Sequence, residues 1–252
     1  PGPIEILAAD VVIAIDRSTS TRKPTGLDLD GDGVVGEFRR SEYTDREDSL
    51  LAAQLAAVQR LVDVARLGGM RFAIVSYSGR HDFPLEDSVT QRVERTDARL
   101  EAELTDDPAA LEAAVARIGE RGSDGASSFA PAMRLALLSL SARNASDEPA
   151  RRRRVLFLSD SPTPVRYAPM YRIAYDDARM EVEARRAIKS GVAFHSFGLG
   201  EAANAADTPH VLAQIAGATG GTYRAVPDPR DLYCQMLAAL GASDPVPGLR
   251  AR

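Results

Sequence analysis

The feature that most constrains the fold is an alternation of short apolar runs with longer segments of helical periodicity. The runs at 10–16, 71–77, 154–159 and 192–199 are short, rich in β-branched residues and bounded by Gly, Ser or Asp, so they predict buried strands. Between them, apolar residues three and four positions apart predict helices, one of which begins at the acidic pair of the stretch 176–191. This order predicts an α/β fold: a doubly wound, mostly parallel, Rossmann-like sheet with helices on both faces.

Further elements extend the same pattern. Residues 88–104 alternate and predict an edge strand or hairpin, and residues 208–221 predict a short helix closed by glycines. A last strand at 222–226 and a last helix at 229–240 follow. We therefore expect one domain over 10–241, with an N-terminal extension at 1–9 and a C-terminal tail at 242–252, both rich in Pro and Gly.

Composition excludes several classes of function. The net charge of -5 gives no sequence-wide basic field, so neither nucleic acid nor an anionic membrane is an expected partner. The run from Arg151 to Arg154 is a local exception, which we interpret as a solvated loop before a strand. Cys234 is the only cysteine, which rules out an intrachain disulfide and a Cys-rich zinc site. No stretch approaches the roughly 20 apolar residues of a membrane helix, so direct membrane insertion is not expected.

The first apolar run ends in oxygen-bearing side chains at regular spacing. Residues 11–20 read VVIAIDRSTS, so Asp16 is followed by hydroxyls at Ser18 and Ser20. A second strand, RVLFLSD, closes at Asp160. In a doubly wound sheet, ligands bind beyond the carboxyl ends of the strands where strand order reverses, which would bring Asp16 and Asp160 together. Such oxygens suit a hard divalent cation or a phosphate.

A third loop offers another hydroxyl just ahead of a helix. The stretch RGSDGASSFAPAM supplies it from Ser127 or, as the less favoured alternative, from Ser128. The alternative is that the two strand-end Asp residues serve only as helix caps beside Ser-rich turns, which would require no metal.

Together these three stretches resemble the von Willebrand factor type A domain and its metal ion-dependent adhesion site. That site is written Asp-x-Ser-x-Ser, then a Thr before a helix, then an Asp after an apolar strand. The chain shows DRSTS at 16–20, GASSFAPA at 125–132 and VLFLSDSPTP at 155–164, in the same order. The resemblance covers about residues 10–240.

The resemblance implies a role for each matching residue. Ser18 and Ser20 would be direct metal ligands, Asp16 and Asp160 would act directly or through water, and Ser127 would take the place of the family's Thr. The ion would be Mg²⁺, or Mn²⁺ or Ca²⁺, and a carboxylate of a bound partner would fill its remaining position. Electrostatics favour this arrangement, because two protein carboxylates leave a divalent cation electrophilic enough to accept a third carboxylate.

An insertion at about 21–45 carries a second candidate site. In DLDGDG, Asp28, Asp30 and Asp32 occupy positions 1, 3 and 5 of an EF-hand-like loop over 28–39, with Gly33 at the sharp turn. Val34 would supply a backbone carbonyl. The bidentate Glu expected at position 12 is missing: Arg39 stands there, and Glu37 lies two residues earlier. This spacing predicts Ca²⁺ binding, with an acidic, glycine-rich surface turn as the alternative.

The sequence thus favours a non-enzymatic, metal-dependent module for cell adhesion or protein–protein interaction, whose partner presents a carboxylate. The alternative is a metal-dependent hydrolase or phosphotransferase with the same oxygen ligands, but a haloacid dehalogenase-type phosphatase would need a second Asp where Ser18 stands. Tyr167 and Tyr171 follow Asp160 and are candidates for the partner-binding rim, with packing under a long loop as the alternative. A weak calcium loop favours an extracytoplasmic setting, either secreted or on the cell surface.

Overall fold

A six-stranded sheet with helices on both faces forms the body of the protein. The computed structural model describes residues 9–39, 42, 43, 45–65, 69–79, 97–141, 151–161, 170–203 and 211–241, with the backbone alone at 38, 39, 42, 43, 64, 65, 170–178 and 202. The strands are β1 (Ala9–Asp16), β2 (Phe38–Arg39), β3 (Glu42–Tyr43), β4 (Arg71–Tyr77), β5 (Ala98–Thr105), β6 (Arg152–Ser159), β7 (Val192–Leu199) and β8 (Tyr223–Val226).

The order of the large sheet is β5-β4-β1-β6-β7-β8, while β2 and β3 form a separate antiparallel pair. Neighbouring strands of the large sheet are parallel, except that the edge strand β5 runs antiparallel to β4. Counted along the chain within this sheet, the order is 3-2-1-4-5-6, which is the doubly wound arrangement. The predicted α/β fold is therefore confirmed.

Helices cover both faces of this sheet. Among the described residues they are α1 (Leu50–Ala65), α2 (Pro108–Arg121), α3 (Phe129–Ser141), α4 (Met170–Ser190), α5 (Gly200–Ala203), α6 (Val211–Ala218) and α7 (Leu232–Ala239). None of the described helices combines the length and apolarity that crossing a bilayer requires.

The central strand β1 explains why its sequence reads as a continuous apolar run. Val11, Ile13 and Ile15 point into a core shared with α1, α2 and α7. Val12 and Ala14 point into a second core shared with α3, α4 and α6. Both faces of the strand are thus buried, as is usual for a parallel strand, so its sequence does not alternate between apolar and polar residues.

The arginine run departs from its interpretation as a solvated loop. Arg152 to Arg154 lie inside β6, which begins two residues before the predicted start. Arg153 Nη2 donates to Ser190 O at 2.5 Å and Arg154 Nη1 donates to Ala239 O at 2.8 Å. These guanidinium groups therefore cap the carboxyl ends of α4 and α7, where cations and donors are favoured.

Candidate metal centre

The carboxyl ends of β1 and β6 bring the two strand-end carboxylates to one edge of the sheet. The strands are parallel neighbours, with Ala14 opposite Phe157. Asp16 is the last residue of β1, and Asp160 directly follows β6. Both side chains are buried. The sequence-predicted juxtaposition is thus present in the fold.

Asp16 is held by hydrogen bonds from three directions. Its Oδ1 accepts from the backbone N–H of Ser18 at 2.8 Å. Its Oδ2 accepts from Ser159 Oγ at 2.7 Å and, more weakly, from Ser127 Oγ at 3.4 Å. Ser127, one of the two candidate hydroxyls in the third loop, therefore contacts Asp16.

A chain of hydroxyls joins the first loop to the second carboxylate. Ser18 Oγ and Ser20 Oγ lie 2.9 Å apart, and Ser20 Oγ donates to Asp160 Oδ1 at 2.8 Å. The other oxygen, Asp160 Oδ2, is buried and has no hydrogen-bond partner among the described residues. All five residues predicted for the site thus lie in one connected set.

The electrostatics of this set are unfavourable as it stands. Burial raises the pKa of Asp16. Burial, and then the charge of Asp16, raise the pKa of Asp160 to about 7, although Ser20 and Lys23 act in the opposite direction. Two buried carboxylates with one unsatisfied oxygen therefore need either a proton or a cation. The donor set, two carboxylates and three hydroxyls, is all oxygen and fits a hard divalent cation.

Backbone hydrogen bonds clamp the two loops of the centre together. Thr19 N–H donates to Gly125 O at 2.8 Å, and Asp124 N–H donates to Arg17 O at 2.7 Å. Gly125 adopts φ 76°, and a Cβ built there would meet Gly79 O at 1.9 Å. Only a glycine can therefore bring the Ser127 loop this close to the end of β4.

Sequence reasoning missed two residues that position Asp16. The side-chain amide of Gln54 binds both backbone groups of Asp16: Asp16 N–H donates to Gln54 Oε1 at 3.1 Å, and Gln54 Nε2 donates to Asp16 O at 3.1 Å. Gln54 lies on the buried stripe of α1 between Leu50 and Ala57, so a polar residue in that stripe was the available signal. Ser159 carried no comparable signal, because strand-end serines are common.

Backbone amides of the inserted loop donate to the side chains of its aspartates. Asp28 accepts from Gly31 N–H at 2.7 Å and from Gly33 N–H at 3.0 Å. Asp30 and Asp32 accept from the amides two residues further on, at 3.1 and 2.7 Å. The predicted positions 1, 3 and 5 therefore point their carboxylates back into the turn.

A residue outside the predicted loop joins this turn. Asp48 is fully buried, and its two oxygens accept from Leu29 N–H at 2.6 Å and Gly36 N–H at 3.1 Å. Carboxylate oxygens of Asp28, Asp30 and Asp48 lie within 4.8 Å of one another. Neither Asp32 nor Glu37 belongs to that cluster among the described residues.

The side chains of the two candidate rim tyrosines are not described by the structure. Tyr167 lies outside the described residues, and Tyr171 lies in α4 where only the backbone is described.

His195 is a buried residue of β7, and its Nδ1 lies 3.0 Å from Thr222 Oγ1. Burial, and then the charges of Arg154 and Arg224, lower the pKa of His195 to about 4. It is a neutral strand histidine remote from the carboxylates.

Comparison with known proteins supports the fold and nothing finer. No model of a known protein family matches the sequence, and no curated protein matches it. Among solved structures, the SpRpn10 VWA domain is 14% identical with a TM-score of 0.58, covering 95% of this chain and 100% of that one. An aerotolerance-related membrane protein from Bacteroides fragilis is 14% identical with a TM-score of 0.58, covering 93% and 99%.

A third similar structure contains a bound metal. Proximal thread matrix protein 1 from the mussel byssus, described with a zinc-occupied MIDAS motif, is 13% identical with a TM-score of 0.55. The match covers 93% of this chain and 47% of that one. At these identities the likeness establishes a von Willebrand factor type A-like fold for this chain, without fixing its ligands or partners.

Proposed function

We propose that this chain is a metal-dependent protein-interaction module that grips an acidic group of its partner through a divalent cation. Residues from three loops at the carboxyl edge of the sheet would hold the ion, as Mg²⁺ or alternatively Mn²⁺ or Ca²⁺. The proposed ligands are Asp16, Ser18, Ser20, Ser127 and Asp160.

The observation that carries this proposal is the unpartnered oxygen Asp160 Oδ2, buried in the same hydrogen-bonded set as Asp16 and without a partner among the described residues. An unsatisfied buried carboxylate oxygen costs about 1–3 kcal/mol, and more when it is charged. A cation at this edge would satisfy that oxygen and offset the repulsion between the two carboxylates.

The chemistry of such a centre follows from its ligand count. When bound, the cation supplies Lewis acidity toward one further oxygen ligand. Ser18 and Ser20 contribute neutral oxygens, so only Asp16 and Asp160 reduce the charge of the ion. Gln54 and Ser159 keep Asp16 in place through the hydrogen bonds described above. A partner's carboxylate is therefore the favoured external ligand.

We infer a binding role rather than an enzymatic one from the residues around the carboxylates. The stretches 16–23, 122–128 and 159–161 contain neither His nor Cys. Burial raises the pKa of Asp160, whereas the charge of Lys23 acts to lower it. Lys23 comes after the first loop in the sequence and does not follow a candidate nucleophile. The competing proposal, a metal-dependent hydrolase or phosphotransferase, would have to use a carboxylate of the metal site as its base, because these stretches contain no histidine.

The test is a metal titration with a matched control. Asp16→Asn preserves the shape of the side chain and should abolish Mn²⁺ or Mg²⁺ binding measured by calorimetry, with an unchanged far-UV circular dichroism spectrum. Asp124→Asn changes an exposed carboxylate on the adjoining loop and should bind as the parent does. Undiminished binding by Asp16→Asn would contradict the proposal. Hydrolysis of aryl phosphates or esters that is lost in Asp160→Asn would favour the enzyme.

We further propose a Ca²⁺ site in the insertion, built from Asp28, Asp30, Asp32 and Asp48, with Val34 O at the backbone position. Asp48 takes the role that the sequence left vacant at position 12, in place of Glu37. A hydrogen bond from Asp32 N–H lowers the pKa of Asp30, but burial and the charges of Asp32, Asp45 and Asp48 give a net increase. That mutual repulsion is what a cation relieves.

Location follows from the expected strength of this second site. A loop without its bidentate Glu is expected to bind Ca²⁺ at about 10⁻⁴ to 10⁻³ M, the range of extracellular modules. The site would be filled outside the cytoplasm, so we propose an extracytoplasmic setting and a partner that is a protein or another carboxylate-bearing ligand. Recovery of the native protein from the cytoplasmic fraction alone would contradict this.

A further inference from the structure

Three cationic side chains border the proposed metal centre, and we call them the basic rim. They are Arg17, which lies inside DRSTS, and Arg22 and Lys23, which follow it closely. Arg22 is exposed, and the other two are half-buried. None of the three forms an ion pair with a carboxylate of the described residues.

The two arginines of the rim bind only uncharged oxygens. Arg17 Nε donates to Gly122 O at 3.0 Å, and its Nη1 donates to Ser78 Oγ at 3.4 Å. Arg22 Nε and Nη2 donate to Ser123 O at 3.1 and 2.6 Å. Carbonyl and hydroxyl oxygens fix the position of a guanidinium group but do not neutralise it. Each arginine therefore keeps its charge, together with N–H groups that these bonds do not use.

The basic rim lies beside two of the three loops proposed to hold the ion. The carbonyls at 122 and 123 belong to the loop that leads to Ser127, and this loop is hydrogen-bonded to DRSTS. Lys23 lies within electrostatic reach of Asp160. Two cations thus lie at the Ser127 loop and the third lies near Asp160, so an anion bound at the ion would meet further positive charge beside it.

The charge balance of this edge favours more than one partner carboxylate. A divalent cation would be neutralised by Asp16 and Asp160. The three charges of the rim then face one exposed carboxylate on the adjoining loop, Asp124. Arg121, next to that loop, is already paired with the buried Glu101. An excess of positive charge therefore remains beside the ion.

The rest of the chain limits the size of the anion that this edge can accept. The net charge of -5 gives no extended basic surface of the kind that nucleic acid requires. The insertion that follows the rim is acidic from Asp28 onward, which disfavours a long polyanion across the whole edge. Three cations beside a carboxylate-binding ion therefore suit a short acidic segment.

We propose that the carboxylate which binds the ion belongs to an acidic peptide segment of the partner, whose neighbouring carboxylates contact Arg22 and Lys23. Because the segment is placed by its metal-bound carboxylate, this proposal rests on the function proposed above and adds the chemistry of the partner. Arg17 adds to the positive charge, but its guanidinium also holds the loop that leads to Ser127, so the variants below leave it unchanged.

The test compares two end-capped peptides of equal length, one with a single glutamate among serines and one with four glutamates. With Mg²⁺ present, fluorescence anisotropy should show about 3- to 10-fold tighter binding of the four-glutamate peptide, because exposed ion pairs contribute modestly. Raising the salt concentration from about 50 mM to about 500 mM should remove most of that preference. An oligothymidylate of similar charge should bind more weakly than the acidic peptide.

Two double variants assign the effect. Arg22→Gln combined with Lys23→Gln should abolish the preference for the four-glutamate peptide. Its Mg²⁺ affinity should not fall, because the lost charges repel the ion. Arg185→Gln combined with Lys189→Gln removes the same two kinds of charge from exposed positions of α4. These positions lie near the end of α4 that leads into the start of β7, away from the metal centre, so this variant should keep the preference.

No binding of the four-glutamate peptide, equal affinity for the two peptides, tighter binding of the oligothymidylate, or the same loss in both double variants would overturn the proposal. A chelator separates the rim from the metal contact. Chelation should release the one-glutamate peptide, and continued binding of that peptide would contradict the function proposed above. The comparison of the two double variants would still decide whether the rim binds the acidic segment.

Discussion

At the scale of single residues, the proposed metal centre depends on how the chain satisfies the last backbone groups of a buried strand. Asp16 lies where β1 leaves the sheet, and a buried N–H or C=O must still find a partner there. Gln54, from the facing helix, supplies both a donor and an acceptor. A single amide thus fixes the backbone from which the carboxylate projects.

Replacing that amide should therefore affect both folding and metal binding. Gln54→Leu keeps the volume but strips Asp16 N–H and C=O of their partners, so we expect unfolding in urea to show a loss of about 1–3 kcal/mol. Metal affinity should fall as well, because Asp16 loses its fixed position.

Gln59→Leu, a partly exposed position on the same helix, is the control. If Gln54→Leu loses no more stability than Gln59→Leu and binds metal as tightly as the parent, Gln54 does not position the site.

There is a physical reason why the sequence predicted some residues of these sites and missed others. Asp16, Ser18 and Ser20 are adjacent in sequence, and Asp160 ends the neighbouring parallel strand, so periodicity and topology suffice to place them together. Asp48 and Gln54 contact their sites through tertiary packing of α1. Both residues lie far along the chain from those sites, so a local sequence pattern cannot reveal these contacts.

At the scale of elements, glycines decide how closely the loops of the centre approach. The loop carrying Ser127 touches the end of β4 through Gly125, whose neighbour Ala126 N–H donates to Gly79 O at 2.6 Å. Apolar periodicity and run length predicted β1, β4, β6 and β7 to within about two residues, because parallel strands buried on both faces have short, continuous apolar runs. Of the alternating stretch 88–104, the described residues begin at 97 and the edge strand β5 begins at Ala98. This loop contact lies outside such periodicity.

We expect Gly125→Ala to damage the centre far more than a matched glycine change does. The added Cβ would meet Gly79 O at 1.9 Å, in addition to the cost of a positive φ. Gly122→Ala is the control, because Gly122 has φ 64° and no atom of the described residues lies within 4 Å of the place that its added methyl group would take.

Gly122→Ala should lose about 1–3 kcal/mol in urea unfolding, because φ 64° with ψ -166° is a backbone conformation that is essentially restricted to glycine, and it should still bind metal. Gly125→Ala should lose more stability and most of its metal affinity. Equal losses of stability in the two variants would show that the close approach of the loops is unimportant.

Helix α4 shows where the sequence was misleading at this scale. It begins at Met170, whereas the sequence pattern placed its start near the acidic pair at 176 and 177. Acidic residues favour a first turn, but they are equally acceptable within an exposed helix, so such a pair does not mark a boundary.

At the scale of the whole molecule, the insertion connects the two proposed cation sites. It leaves β1 at the metal centre and returns at Asp48, directly before α1. Thr25 N–H donates to Asp48 O at 2.8 Å, and Leu50 N–H donates to Lys23 O at 2.9 Å. Asp48 therefore anchors the first turn of the helix that carries Gln54 to Asp16.

Calcium should consequently influence the metal centre through α1. Asp30→Ala combined with Asp32→Ala removes two proposed ligands while leaving the buried Asp48 in place. Without them, the Ca²⁺-dependent gain in stability should vanish; in the parent that gain is about 1.4 kcal/mol at ten times the Kd. Affinity for Mg²⁺ in the presence of millimolar Ca²⁺ should fall too, because the first turn of α1 is less firmly held.

The measurements are thermal melts across a Ca²⁺ series and Mg²⁺ titrations with and without Ca²⁺. Glu47→Ala removes an exposed carboxylate of the same insertion and should leave both unchanged. A lost calcium shift with unaltered Mg²⁺ affinity would support the calcium site but reject the coupling. A double variant that melts and binds Mg²⁺ like the parent would reject both, and the DLDGDG turn would then be a surface feature of the fold.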